Sequence, residues 1–290
     1  MVTSTATAGQ RRCVVYYHRS CPDGATAAWI AREALHTAGA AVQLIPMMPD
    51  ALCKTAKARG AEVFLIDVCV PGPQLDLLAS LASQVIVLDH HLTSKPYAEG
   101  RPWVHIDTTR SGAMLAWRHF HGDAEPPTIV RYVEDMDLWR NALPQSRDLQ
   151  MLLRRCIRPD QIATLAGEMD CDLAAVVARG EARREQHDAR VDAYLPKAAP
   201  AWLGETQVTA VRLDPADGDL GSDVANAVAT AHSGIAVAWR LERKLYRYSV
   251  RSMQADGPEV ASLAQRYGGG GHAHAAGFTS GRQVLASERP

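Results

Sequence analysis

Val85-Ile86-Val87-Leu88-Asp89-His90-His91 decides how this 290-residue chain is read. Four apolar residues in succession, mostly β-branched, predict a strand buried on both faces. The run stops at a carboxylate and two imidazoles. Groups with metal-ligand chemistry therefore stand at a strand's C-terminal end, the edge where ligands collect in open α/β sheets. Two further runs have the same form: Val63-Phe64-Leu65-Ile66 ends in Asp67, and Val14-Val15-Tyr16-Tyr17 ends in His18 with Asp23 shortly after. Helical candidates at 26–36, 51–59 and 74–83 fill the gaps, giving the βαβ alternation that a parallel sheet requires.

Composition sets the class around that core. The hydrophobic content of 47% and charged content of 22% are those of a globular protein with a sizeable interior. A formal net charge of −1 argues against a broad basic surface for duplex nucleic acid, though not against a local basic pocket. The Thr/Ala-rich stretch 1–10 carries no signal-peptide core, and no window reaches the length of a membrane span, so a cytoplasmic location is expected. The six cysteines, Cys13, Cys21, Cys53, Cys69, Cys156 and Cys171, show no CxxC pairing and are read as free thiols.

The predicted fold class is α/β: a larger domain with a mostly parallel sheet over 12–149, a helical connector over 150–200, and a smaller α+β domain over 201–290. Within the first, Trp103-Val104-His105-Ile106 offers a short strand ending in Asp107, and Ser111 caps a helix over 113–120. Pro126-Pro127 marks a loop before Ile129-Val130-Arg131-Tyr132-Val133-Glu134-Asp135-Met136-Asp137, which presents two more carboxylates at its end. The connector is rich in helix formers, broken at Arg158-Pro159-Asp160 and at 170–172, with its longest helix over 174–194 and the arginines there read as a solvated face. Strand-like runs at 207–212, 235–240 and 246–251, with a helix over 222–232, make up the last domain.

That domain closes with Gly268-Gly269-Gly270-Gly271-His272-Ala273-His274-Ala275-Ala276-Gly277-Phe278. Successive glycines lower stability, so the run is read as backbone amides approaching a phosphate or carboxylate and leading into a helix start. A linker is the alternative, and it fits poorly because the run leads into His272 and small residues. Meanwhile His90, Asp67, Asp23 and one of Asp135 or Asp137 are nitrogen and oxygen donors arriving from separate strand ends. Such a set suits octahedral Mn²⁺ or Mg²⁺ better than a thiolate zinc site. If Asp67 bridged two ions roughly 3.5–4 Å apart, they would clamp a phosphoryl group, generate a hydroxide nucleophile and stabilise the leaving oxygen.

Asp89-His90-His91, Asp67 before it and Gly268–Phe278 far downstream together resemble the DHH phosphoesterase superfamily, of the nanoRNase and RecJ kind, with its DHH-associated C-terminal domain. The resemblance covers most of the chain. It implies a two-domain hydrolase with a di-manganese site on the larger domain and a substrate cleft between domains. It implies that His18, Asp23, Asp67, His90 and Asp135 or Asp137 serve the metals, that His91 polarises the scissile phosphate, and that Asp89 supports its neighbours. Arg251, Ser252, Gly269, Gly270, Gly271 and His272 correspond to the family's grip on the terminal nucleotide.

The first motif departs from the family's pattern of two aspartates one residue apart. His18-Arg19-Ser20-Cys21-Pro22-Asp23-Gly24 supplies one, and aligning Asp23-Gly24 with the second aspartate puts Cys21 at the first. Cys21 is then a soft ligand, a weak point in one metal site, or a small buried residue.

The function implied is metal-dependent hydrolysis of short nucleotide substrates, such as short oligoribonucleotides, linear dinucleotides or 3′-phosphoadenosine 5′-phosphate. The alternatives are a catalytically weak nucleotide sensor, a RecJ-like single-strand exonuclease and a structural partner in a larger complex. The partners implied are a small nucleotide or short single-stranded oligonucleotide, without membrane or duplex DNA, and a homodimer is allowed for.

Overall fold

A computed structural model describes residues 11–48, 51, 53–253 and 257–289, the side chain of His272 excepted. The expectation for 1–10 lies outside the described residues, as does part of the 51–59 candidate. The apolar runs form a five-stranded, all-parallel sheet in the order β2-β1-β3-β4-β5, comprising β1 (Arg12–His18), β2 (Ala41–Met47), β3 (Glu62–Ile66), β4 (Gln84–Asp89) and β5 (Val104–Ile106). Register explains why the polar tips meet: Tyr17 lies opposite Ile66 and Ile66 opposite Leu88, so His18, Asp67 and Asp89 leave three adjacent strands at one level.

Helices cover both faces of this sheet, which is why its strands are continuous apolar runs. The helices are α1 (Pro22–Thr37), α2 (Gly72–Leu81), α3 (Gly112–His121), α4 (Thr128–Asp137), α5 (Ser146–Leu153) and α6 (Pro159–Asp192), the last kinked at Asp172. On one face Val15, Phe64, Ile66 and Leu88 pack with Ala27 and Ile30 of α1, Ala116 of α3 and Val133 of α4. On the other face Val14, Tyr16, Val63, Leu65 and Val87 pack with Leu75 and Leu78 of α2. Each fully buried Val, Leu, Ile or Phe among them contributes about 1.5–3 kcal/mol.

Three local expectations change. The stretch read as a helix over 51–59 holds only a 3-10 turn, Thr55–Lys57, because Gly60 (φ 65°) turns the chain into β3 almost at once. β2 was not anticipated: it contains Pro46 and pairs only with β1, the edge position at which a strand tolerates proline. The segment holding Asp135 and Asp137 is a helix, not a strand end, because Ile129, Val130 and Val133 bury one helical face.

The described residues fall into two compact units dividing between Arg184 and Glu185, within α6. The stretch read as a connector is thus shared. Ile162, Leu165, Met169 and Val176 belong to the first core, while Val191 and Tyr194 belong to a core of the second unit.

The second unit holds β6 (Ala199–Leu203), β7 (Thr206–Arg212), α7 (Gly221–His232), β8 (Ala236–Glu242), β9 (Leu245–Arg251), α8 (Ala261–Gln265), β10 (Gly270–His272), β11 (Ala275–Ser280) and β12 (Leu285–Ala286). Its seven strands run β10-β11-β9-β8-β7-β6-β12, parallel only between β7 and β8, which α7 connects. The glycine run therefore opens a β-hairpin rather than a helix. No helix of the described residues is long and apolar enough to cross a membrane.

Candidate metal centre

The C-terminal edge of the parallel sheet gathers eight side chains with ligand chemistry. His18 ends β1, Cys21 directly precedes α1, and Asp23 lies in the first turn of α1. Asp67 follows β3 with its backbone in the left-handed region (φ 58°), a conformation that aspartate adopts more readily than most residues. Asp89 ends β4, His90 and His91 follow it, and Asp137 ends α4.

His90 is central. Its Nε2 stands 3.1 Å from Asp67 Oδ1, 3.5 Å from Asp137 Oδ2 and 3.8 Å from Asp23 Oδ2. His18 Nδ1 lies 3.4 Å from the other oxygen of Asp67. Donor atoms of three overlapping groups lie within 4.8 Å of one another: His18, Cys21 and Asp67; Asp67, His90 and His91; and Asp23, His90 and Asp137. Asp67 belongs to two of these groups, its Oδ1 next to the His90 ring and its Oδ2 next to that of His18.

The electrostatics are those of a site short of positive charge. Four carboxylates face three imidazoles. Burial pushes the Asp67 carboxyl up, but the neighbouring imidazoles of His18 and His90 outweigh it and hold that carboxyl at about 2. Burial and the charges of Asp67 and Asp137 lift Asp23 well above the usual carboxylate range, and burial with Asp67 raises Asp137 to about 6. Burial opposes charge on His90, yet the hydrogen bond to Asp67 and the nearby carboxylates carry it to about 9. Burial, then the charges of Asp67 and Asp23, push the Cys21 thiol far up. Unlike buried groups that have found partners, these ones compete for the same protons.

A divalent cation fits this arrangement. The buried atoms His18 Nδ1, Asp67 Oδ2, Asp89 Oδ2 and Asp137 Oδ2 have no hydrogen-bond partner, an expensive condition for a stability element. Three of these atoms belong to the overlapping groups, whose nitrogen, oxygen and single sulfur donors suit a hard to borderline ion.

The remaining parts hold this set in place. Asp89 is fully buried, and its Oδ1 accepts from His91 Nδ1 at 2.7 Å and from the His90 amide at 2.8 Å. That fixes the His91 ring with Nδ1 engaged and leaves Nε2 for another partner.

Of the two aspartates on α4, the cluster takes Asp137. Asp135 instead accepts from the Ala142 amide at 2.9 Å, the Leu143 amide at 3.5 Å and Ser146 Oγ, closing the loop that follows. Asp23 also works as a cap: its two oxygens accept from the Gly112 amide at 2.7 Å and the Ala113 amide at 2.9 Å, two otherwise unsatisfied donors of α3.

Two glycines make these contacts sterically feasible. A Cβ on Gly24 would lie 2.4 Å from the His18 carbonyl oxygen, and one on Gly112 would lie 2.5 Å from Asp67 Cβ. In the sequence Gly112 is marked only by its place between the capping Ser111 and the helix predicted from 113. Its role depends on a neighbour far away in sequence, and the adjacent Ser111, which accepts from the Met114 amide, was the sole local signal.

In the C-terminal unit, Arg251 donates to the carbonyls of Val250 (2.9 Å) and Ala276 (3.2 Å) and to Ser222 Oγ (2.8 Å). Ser252 Oγ donates to the Pro258 carbonyl at 2.7 Å. Two glycines of the run are also needed for packing. A Cβ on Gly269 would lie 2.2 Å from the Gly277 carbonyl oxygen, and one on Gly271 would lie 2.3 Å from that of Ala275, because β10 runs tightly against β11. Gly270 has open space at that position. His272 lies in β10.

No family model matches the chain. An uncharacterized protein of Acanthamoeba polyphaga mimivirus is 23% identical over 294 residues, covering 91% of this chain and 66% of the relative. The chain thus spans just under two thirds of that relative's length. Among solved structures, the DHH domain of a member of the s1p family of ribosomal proteins superposes with a TM-score of 0.56 at 13% identity, covering 92% of this chain and 82% of the other. Thermus thermophilus RecJ in complex with Mn²⁺ gives 0.56 at 19% identity, covering 92% and 49%.

The chain has the DHH phosphoesterase fold. A pGpG-specific phosphodiesterase from Vibrio cholerae is also similar, at TM-score 0.50 and 12% identity over 93% of this chain and 92% of that one. The DHH triplet here is Asp89-His90-His91, at the end of β4 where the ligand-type side chains converge. Its structural neighbours thus include an exonuclease with bound Mn²⁺ and a phosphodiesterase, both hydrolases of phosphoester bonds.

Proposed function

We propose that this chain is a metal-dependent phosphoesterase that hydrolyses short nucleotide substrates. The observation that carries the reading is the cluster at the sheet edge: four carboxylates and three imidazoles with four buried polar atoms left unpartnered. His18, Asp23, Asp67, His90 and Asp137 would hold two divalent ions, with Asp67 shared and Cys21 beside the first. Manganese or magnesium bound there would neutralise phosphoryl charge and activate water.

The chain's own residues supply the rest. Asp89 holds Nδ1 of His91, so the ring presents Nε2 to a phosphoryl oxygen and stabilises the charge that develops there. The raised affinity of His91 for its proton, chiefly from the hydrogen bond to Asp89, favours the donating form. That Arg251, Ser252, Gly269, Gly270, Gly271 and His272 hold the substrate's terminal nucleotide is part of this proposal and rests on their motif. A RecJ-like exonuclease acting on longer single strands is the second reading, favoured by the likeness to RecJ.

The test is release of mononucleotide or phosphate from short RNAs, linear dinucleotides, 3′-phosphoadenosine 5′-phosphate, pyrophosphate and a long single-stranded DNA, with Mn²⁺ and with chelator. Chelator-sensitive cleavage of the short nucleotides is expected. Preference for the long strand would move the reading to the exonuclease. No metal-dependent turnover of any substrate, with tight nucleotide binding, would leave a sensor.

A further inference from the structure

The segment after Asp137 is held in an uncommon shape. Trp139 (φ 55°), Asn141 (φ 48°) and Gln145 (φ 52°) all lie in the left-handed region, which residues other than glycine keep only where their surroundings impose it. The surroundings here are explicit. The Asp135 carboxylate ties down the Ala142 and Leu143 amides and Ser146. Arg140 donates to the Thr109 carbonyl at 2.7 Å and pairs with Glu134 at 3.4 Å, while the Asn141 side chain accepts from Gln150.

What this over-determined loop presents is an indole in solvent. Trp139 is 71% exposed and Leu92, directly after His91, is 69% exposed. They are the two most exposed large apolar side chains among the described residues. The next is Met48 at 48%, just past the end of β2 on the same sheet edge. Two peptide steps of 3.80 Å put the Trp139 Cα within about 7.6 Å of the Asp137 Cα, so the loop that carries the indole borders the centre. Trp is large and is normally mostly buried. Here Asp135, Arg140 and Asn141 instead hold the loop that keeps it out.

We propose that Trp139 is the stacking platform for a nucleobase of the substrate whose phosphate lies at the DHH centre, with Leu92 as a second apolar wall. The inference rests on the proposed function and adds where the base is gripped. An aromatic face suits this role because every base has a π-face, so recognition is tolerant of sequence. Asp135, no part of the metal cluster, becomes the residue that positions the platform.

The test compares a linear dinucleotide with its analogue lacking one base, using wild type, Trp139→Ala and Trp139→Phe with Mn²⁺. In Trp139→Ala the ratio of kcat/KM between the two substrates should fall by about 5- to 150-fold, the equivalent of losing one stacked base, mainly through KM. Trp139→Phe should recover most of it. A ratio within twofold of wild type, or an equal loss on both substrates, overturns the platform while leaving the phosphoesterase reading intact.

Calorimetric binding of the dinucleotide covers the case in which the protein does not turn it over. Weaker binding by Trp139→Ala than by Trp139→Phe supports the platform, and equal binding overturns it. No binding by wild type overturns the platform and the nucleotide reading together. A change of oligomeric state confined to Trp139→Ala would assign the indole to a contact between copies and overturn its role with substrate.

Discussion

Replacing Gly112 with alanine tests whether the metal centre is assembled by the close approach of α3. The added Cβ would lie 2.5 Å from Asp67 Cβ, 2.9 Å from Asp23 Oδ2 and 3.0 Å from Asp67 Cα. Carbon atoms pack at about 3.5–4.0 Å, so the start of α3 must retreat by about 1 Å. Neither neighbour yields easily, since both aspartates are buried and Asp67 already sits at φ 58°. Overpacking of this kind costs about 1–3 kcal/mol. Retreat also stretches the two hydrogen bonds from the Gly112 and Ala113 amides to Asp23, each worth about 0.5–1.5 kcal/mol and partly lost. A net loss of about 2–4 kcal/mol is therefore expected, read from urea denaturation followed by circular dichroism, with at least tenfold weaker Mn²⁺ binding by calorimetry. Gly167→Ala is the control: it is an exposed helical position with open space around the new Cβ, and should gain about 0.5–1 kcal/mol. Unchanged stability and Mn²⁺ affinity in Gly112→Ala would refute the reasoning, as would losses of equal size in the two variants.

Other substitutions separate the roles of the remaining groups. Asp67→Asn keeps a side chain that tolerates the left-handed backbone, so it and His90→Ala should abolish metal-dependent hydrolysis while the circular dichroism spectrum stays that of wild type; retained turnover in either would sink the site assignment. Asp135→Ala should lower stability by about 2–4 kcal/mol, since it strips a buried acceptor from three donors, whereas Asp137→Ala should weaken Mn²⁺ binding at little cost in stability; denaturation and calorimetry on both variants would expose a reversed pattern. Cys21→Asp replaces a soft donor beside His18 and Asp67 with a hard one, so competition binding should shift toward Mn²⁺ over Zn²⁺, and an unchanged preference would remove Cys21 from the ligand set.

The legible parts of this protein are those in which burial writes itself into a run of residues. Strands β1, β3 and β4 are covered on both faces, so their sequences are unbroken apolar stretches and their polar ends stand out. β2 escaped notice because it is an edge strand with Pro46, only partly buried, and so lacks such a run. The choice between Asp135 and Asp137 could not be read locally. Two residues apart on a helix are about 200° apart around its axis, so one carboxylate at most faces the cluster, and which one depends on how α4 is rotated against α1 and α3. The glycines show the same limit from the other side. Gly269 and Gly271 stood out as candidate ligand-contacting amides, and each also lies against a strand a few residues further on, a close approach that the run itself did not signal. Gly112 attracted little notice, yet it lies against Asp67 at the centre of the site. Motif chemistry therefore identifies which atoms can react, while close approaches between distant segments decide which of them meet, and a glycine or a capping aspartate has to be judged by what stands opposite it.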